Sequence, residues 1–231
     1  MERVSRREVM NMSLGSFLSV SASLPLLGQN AKEKNGLLNW NEFIEKVGKE
    51  ADKHFMDKWD QEAHVKKVAD LVQKLNLKDP HITKAKAKYK NRNKNFPEFD
   101  KLFYKKPFQI SMLHFEKGEY IPHHNHPGMT GVIFVSNGTL LVNNFDIMKE
   151  KSDDGQLLLK KVEAAKITAG KLGTLTKDRG NIHDVRATEF TQVIDIFTPP
   201  YNKETISKSK WYKLDKKMYK NQKNIFKAKA R

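Results

Sequence analysis

Cysteine is absent from all 231 residues. That absence excludes disulfides, zinc–thiolate sites, iron–sulfur clusters and thiol nucleophiles together. It leaves the compartment open, because a chain without thiols survives in either redox setting. Long apolar runs are missing too. The stretch from Met12 to Leu27 is rich in Ser, Ala and Gly, and is too short and polar for a transmembrane helix. Acid is scarce: 27 Asp and Glu face 43 Lys and Arg, for a formal net charge of +16. What remains is 38% hydrophobic residues, enough for one sizeable packed domain with extensions.

The positive charge is concentrated. Lys203 to Arg231 carries eleven Lys and Arg against Glu204 and Asp215, a net of +9, interleaved with Trp211, Tyr212, Tyr219 and Phe226. Residues 84–94 read KAKAKYKNRNK. Basic clusters can attach to nucleic acid or anionic membrane, but neither cluster shows a nucleic-acid motif. We read both as solvated faces, with weak attachment of a basic C-terminal tail (216–231) to an anionic surface and no specific nucleic-acid binding. The N-terminus is different. Arg6 and Arg7 precede the weakly apolar run, as in a bacterial twin-arginine signal. Ser21 and Ser23 sit at −3 and −1 of a cleavage after Ser23. Glu2 and Glu8 speak against a mitochondrial presequence. Residues 1–31 are therefore expected to be a signal segment and linker, and the protein to be exported to the periplasm. The alternative is an uncleaved N-terminus on a cytoplasmic protein.

Helical spacing dominates the next stretch. Asn39 caps with Glu42 three residues on, and Trp40, Phe43, Ile44, Val47, Ala51 and Phe55 recur on one face. A second helix is predicted through Val65, Val68, Ala69, Val72 and Leu75, ending before Asp79-Pro80. Lone helical histidines such as His54 and His64 are more often packing residues than ligands. From Phe108 the pattern becomes short apolar runs with turns between them: 108–115, 131–135, 139–145, 157–162, 166–168, 172–175 and 192–197, with a hairpin signal at Ser136-Asn137-Gly138. Such spacing indicates a sandwich or barrel. We expect a helical N-terminal segment over 32–100, packed on a β-barrel over 101–215.

The most informative segment is His123-His124-Asn125-His126-Pro127-Gly128-Met129-Thr130. It follows a predicted strand, so His124 and His126, at i and i+2, point to one face and can share a metal ion. His123 points away. Gly180-Asn181-Ile182-His183 offers a third imidazole downstream. His114, alone in the preceding strand, fits a packing role better.

Gly118, five residues, His124, one residue, His126 matches the start of the first cupin motif, which opens a jelly-roll barrel. The glutamate ligand of that motif is missing; Thr130 and Gly131 stand there. In detail IPHHNHPGMT (121–130), the Gly138 turn, GNIHDV (180–185) and VIDIFTPPY (193–201) resemble the thiol dioxygenase family of cysteamine dioxygenase and the plant cysteine oxidases. The resemblance implies a mainly β fold, a cupin barrel with a helical N-terminal segment. It implies Fe(2+) held by His124, His126 and His183. Asp195 and Tyr201, 12 and 18 residues beyond His183, stand where that family places an acid and a tyrosine.

Three neutral ligands suit the implied chemistry. They leave the full dipositive charge on iron, which a substrate thiolate can offset, with room for O₂. The product is a sulfinic acid. The implied substrate is cysteamine or the N-terminal cysteine of a peptide. Asp195 is expected to orient a bound group or hold the substrate amine, and Tyr201 to hydrogen-bond at the cavity mouth. Without cysteine, no Cys–Tyr crosslink can form. His123 and Gly131 depart from the family's usual residues and bear on pocket shape. The competing readings are an exported metal-binding cupin of other activity, a dioxygenase or isomerase, and a non-enzymatic ligand-binding cupin. A monomer is expected.

Overall fold

The structure, a computed structural model, describes residues 36–89 and 96–231. The signal-like segment and residues 90–94 of the KAKAKYKNRNK run lie outside the described residues.

Helix α1 (Trp40–Ala51) begins with the predicted capping box: the Glu42 N–H donates to Asn39 Oδ1 at 3.0 Å, and the Asn39 N–H donates to Glu42 Oε2 at 2.9 Å. The helix stops earlier than the apolar stripe predicts. Asp52–Phe55 is a 3₁₀ turn, and Phe55 is exposed. Helix α2 (Gln61–Gln73) is capped by Asp60. Asp79 and Pro80 do more than end a helical region. Asp79 caps a third helix, α3 (Pro80–Ala87), with proline at its first position, where the missing N–H costs nothing.

Among the described residues eleven strands follow: β1 (Glu98–Lys105), β2 (Phe108–Phe115), β3 (Tyr120–Asn125), β4 (Thr130–Asn137), β5 (Thr139–Lys151), β6 (Leu157–Thr168), β7 (Leu172–Leu175), β8 (Ile182–Ala187), β9 (Thr191–Thr198), β10 (Tyr212–Leu214) and β11 (Ile225–Ala230). A short helix, α4 (Lys203–Lys208), separates β9 from β10. One sheet has the order β1-β2-β9-β4-β7 and the other β10-β11-β6-β5-β8-β3. From β2 onward the chain keeps crossing between the sheets, which makes them one barrel. This is the expected cupin jelly roll.

Every residue of β2 and β9 is buried. Alternation explains why. Ile110, Met112, Ile194 and Ile196 face outward into one core with Phe43, Val47, Val68 and Val72 of α1 and α2. Their neighbours face inward, where Leu113, Val193, Val142 and Val185 form the barrel's own core.

The C-terminal expectation needs correction. Residues 216–231 are not a tail beyond the barrel. β11 pairs with β6, from Ile225 opposite Lys160 to Ala228 opposite Leu157, and β10 pairs with β11. Phe145, Leu159, Ile182, Tyr212 and Ala228 pack together beneath these strands. The lysines that suggested a solvated tail alternate with the residues that pair and pack. Two of them are neutralised locally, Lys220 by Asp153 at 2.8 Å and Lys227 by Asp154 at 3.1 Å. β1 was also hidden from sequence reading, because it is a half-exposed edge strand with no clean alternation.

The Gly138 turn joins β4 to β5 with φ +81°. A Cβ there would lie 2.3 Å from the Phe190 carbonyl oxygen and 2.5 Å from Thr191 Oγ1. Thr191 is fully buried and accepts the Thr139 N–H, so it has nowhere to move. Gly138→Ala is expected to cost roughly 2–4 kcal/mol, combining left-handed strain with a backbone clash. A denaturant midpoint equal to that of the parent would contradict this.

Candidate metal centre

β3 and β8 are neighbours, and their register sets His124 directly opposite His183. Asn144 of β5 continues the row beyond His183. His126 follows β3 by one residue. One nitrogen from each of the three imidazoles lies within 4.8 Å of the others. Nε2 of His126 is 3.0 Å from Nε2 of His183. The three sequence-predicted histidines are therefore brought together, and no carboxylate joins them among the described residues.

Neighbouring groups orient two of the rings. Nδ1 of His124 donates to the Pro122 carbonyl at 2.7 Å, which leaves its Nε2 as a lone pair. Nδ1 of His126 is hydrogen-bonded to the Tyr201 hydroxyl. That orients the ring, and its Nε2 points towards His183. Asn181, the second residue of the GNIH segment, clamps the backbone of His126. Its Oδ1 accepts the His126 N–H at 3.0 Å, and its Nδ2 donates to the His126 carbonyl at 2.9 Å. Gly180, in left-handed conformation, turns the chain there, and its carbonyl accepts from Asn144 at 2.9 Å. Local sequence marks this Asn only as part of a motif, because its two-way hydrogen bond joins it to a residue 55 positions away.

Burial keeps all three rings neutral. It pushes His124 down to about 4, with His123 adding repulsion and the Pro122 carbonyl opposing. It drives His126 and His183 well below the usual imidazole range, with the other histidines repelling further charge. Neutral imidazole is the form that binds metal. The 3.0 Å separation fits two nitrogens at right angles on one ion with bonds of about 2.1 Å. The donor set therefore fits a divalent transition metal of the iron, zinc, copper or nickel type.

The opposite wall belongs to the five-stranded sheet. Its register aligns Lys101, Ser111, Asp195 and Ile133 in one row across β1, β2, β9 and β4. Asp195 is buried, and its Oδ1 has no hydrogen-bond partner among the described residues. Burial raises its carboxyl to about 8. Tyr201 is pushed well above the usual phenol range by burial, with the charge of Asp195 adding to it. Its backbone is fixed by Gln109, whose Oε1 accepts the Tyr201 N–H at 2.9 Å, and by the Tyr104 hydroxyl, which donates to its carbonyl at 2.8 Å. Tyr201 thus reaches the histidine cluster itself rather than only the mouth. Between the walls lies a cavity of about 120 Å³ that all five sequence-predicted residues line.

Three other residues shape the site. The Phe197 ring stacks on His126 at 4.5 Å. Gly131 makes room for it, since a Cβ there would lie 2.7 Å from the Phe197 ring. Trp211 tilts over His124 at 5.1 Å, bridged to it across the end of the six-stranded sheet. His123 lies on the other face of β3, paired with Asp184 at 2.8 Å. His114 stacks on Tyr89 and hydrogen-bonds Gln192 at 3.1 Å, a packing role as expected.

A family model described as PCO_ADO matches residues 68–230, more than two-thirds of the chain. No curated protein matches the sequence. Among solved structures, the TT1209 protein of Thermus thermophilus is 14% identical with a TM-score of 0.38, over 50% of this chain and 94% of its own. KdgF of a Halomonas species is 14% identical with a TM-score of 0.38, over 51% of this chain and 92% of its own. A cupin superfamily protein of Desulfitobacterium hafniense is 14% identical with a TM-score of 0.36, over 49% of this chain and 85% of its own.

Proposed function

This chain belongs to the PCO_ADO family, the cysteamine and plant cysteine oxidases, and on that footing we propose that it is an iron(II)-dependent thiol dioxygenase acting on aminothiols. The observation that carries this reading is the carboxylate-free cluster of three neutral imidazoles facing the buried acid Asp195 across one cavity. The substrate is cysteamine or the N-terminal cysteine of a peptide. Both oxygen atoms are added to sulfur: RSH and O₂ give RSO₂H, sulfur losing four electrons and O₂ gaining four, with no external reductant.

His124, His126 and His183 hold the metal. When bound, iron(II) supplies open positions for thiolate and O₂ and lowers the pKa of the thiol. The remaining work is done by the chain. Asp195 offers an unpartnered buried oxygen to the substrate ammonium. An ammonium beside it supplies the counter-charge that burial denies, so the carboxyl ionises as the pair forms. Tyr201 fixes the ring of His126 through Nδ1, and Asn181 fixes its backbone. Phe197 and Trp211 shield the imidazoles from water.

The test is anaerobic loading with iron(II), addition of cysteamine, cysteine or a Cys-initiated peptide, exposure to O₂, and mass spectrometry. A gain of two oxygen atoms on an aminothiol is expected. No gain on any thiol despite bound iron would move the assignment to another cupin activity or to ligand binding.

A further inference from the structure

Beyond the aminothiol end of the cavity its lining becomes cationic. Lys101 and Lys210 line it near Phe99 and Trp211, and among the described residues that line it Asp195 is the only carboxylate. Both lysines are exposed, so they form the rim and not the walls. Lys101 stands two strands from Asp195 in the Lys101–Ser111–Asp195 row, about 10 Å away at the usual strand spacing. Its ammonium lies over the Tyr104 ring at 4.7 Å.

Lys210 is held in place from the other side. Its N–H donates to Asn125 Oδ1 at 2.6 Å, and its carbonyl accepts the Asn125 N–H at 3.2 Å. Asn125 lies between His124 and His126. The same backbone contact that seats Trp211 over His124 therefore carries Lys210 to the mouth.

We propose that this rim selects acidic peptides: chains that begin with cysteine and carry Asp or Glu at the second or third residue. The inference rests on the aminothiol reading above. With sulfur at the histidines and the ammonium at Asp195, the second and third residues of an extended chain lie about 3.5 and 7 Å further out. An acidic side chain on the third residue then spans the roughly 10 Å that separates Lys101 from Asp195 across the sheet. Cysteamine has no group to meet them, and a basic second residue is repelled.

Binding decides this separately from turnover. Amidated Cys-Asp-Asp-Gly, Cys-Asn-Asn-Gly and Cys-Lys-Lys-Gly would be titrated anaerobically into the iron(II)-loaded protein by calorimetry. Exposed charge pairs contribute a few-fold each, so the acidic peptide is expected to bind about tenfold tighter than the basic one. The gap should close as salt rises from about 50 mM towards 1 M, where the screening length falls to about 3 Å. Lys210→Gln should shrink the ratio, and the double variant Lys101→Glu, Lys210→Glu should invert it. Equal affinities, no binding of any peptide, or a ratio that survives charge reversal would overturn the proposal. Admitting air afterwards reads the mass of each peptide. A failure to gain oxygen would overturn the dioxygenase assignment and leave the binding order to stand or fall by itself.

Discussion

His183→Ala is expected to lower metal retention more than 100-fold. Loss of a group that merely supports a ligand costs about 10–100-fold in affinity, so loss of a ligand costs more. The geometry offers no replacement: among the described residues the donor cluster holds three imidazoles and nothing else. His126 Nε2 would lose its partner at 3.0 Å, and Asn144, the next residue along the row, is engaged with the Gly180 carbonyl. Thiol oxidation should fall with the metal. The informative control is His123→Ala. His123 is adjacent in sequence but sits on the far face of β3 against Asp184. That variant should keep its metal and lose about 1 kcal/mol of stability, because Asp184 loses one hydrogen-bond partner and keeps Asn143. Iron per protein after desalting, set beside denaturant midpoints, checks both. Full retention in His183→Ala would remove this residue from the site.

Asp195→Asn should stabilise the metal-free protein at pH 8 by up to about 5 kcal/mol relative to its effect at pH 4. The carboxyl ionises in the ordinary range, near 3.8, when the chain is unfolded, and at about 8 when folded. Between those values the folded state holds a proton that the unfolded state has released. Stability therefore falls as pH rises through this window, is unaffected below it, and stops falling above it. Asn carries no proton and has no such slope. The buried histidines act in the opposite sense. They are held neutral in the fold and charge on unfolding, so acid weakens the protein through them. They are present in both proteins, and the difference between parent and variant isolates Asp195. Denaturant midpoints at pH 4, 6 and 8 after chelation would measure it. Parallel pH profiles would show that Asp195 is not held protonated.

The same substitution should weaken aminothiol binding by the iron-loaded protein. The buried oxygen that destabilises the metal-free fold is the one offered to the substrate ammonium. A site that binds an ion pair carries such a cost before its ligand arrives.

Much of the chemistry is legible in the sequence itself. Two histidines at i and i+2 after a strand must face one way, because the strand period is two. Glycine before the third histidine, the turn at Gly138 and the acid and tyrosine at fixed distances carried the family resemblance. Helices α1 and α2 were written in their apolar spacing and caps. What escaped reading was short, half-exposed or dominated by lysine: α3, β1 and β11. In those segments charged residues alternate with the few that pack, so local pattern points to solvent while sheet pairing decides the outcome.

The order of amino acids supplied the chemical inventory: three imidazoles, one acid, one phenol and no thiol. What those groups can do together was left to the fold. Register places His124 opposite His183 and sets Asp195 in the row that ends at Lys101. Asn181 ties the two histidine segments together, and the Asn125–Lys210 contact brings Trp211 and Lys210 to the mouth. These contacts join residues 55 to 85 positions apart. Local sequence cannot specify them, because the closure of such loops is driven by burial of the whole core and by hydrogen bonds that form only once the sheets are in register.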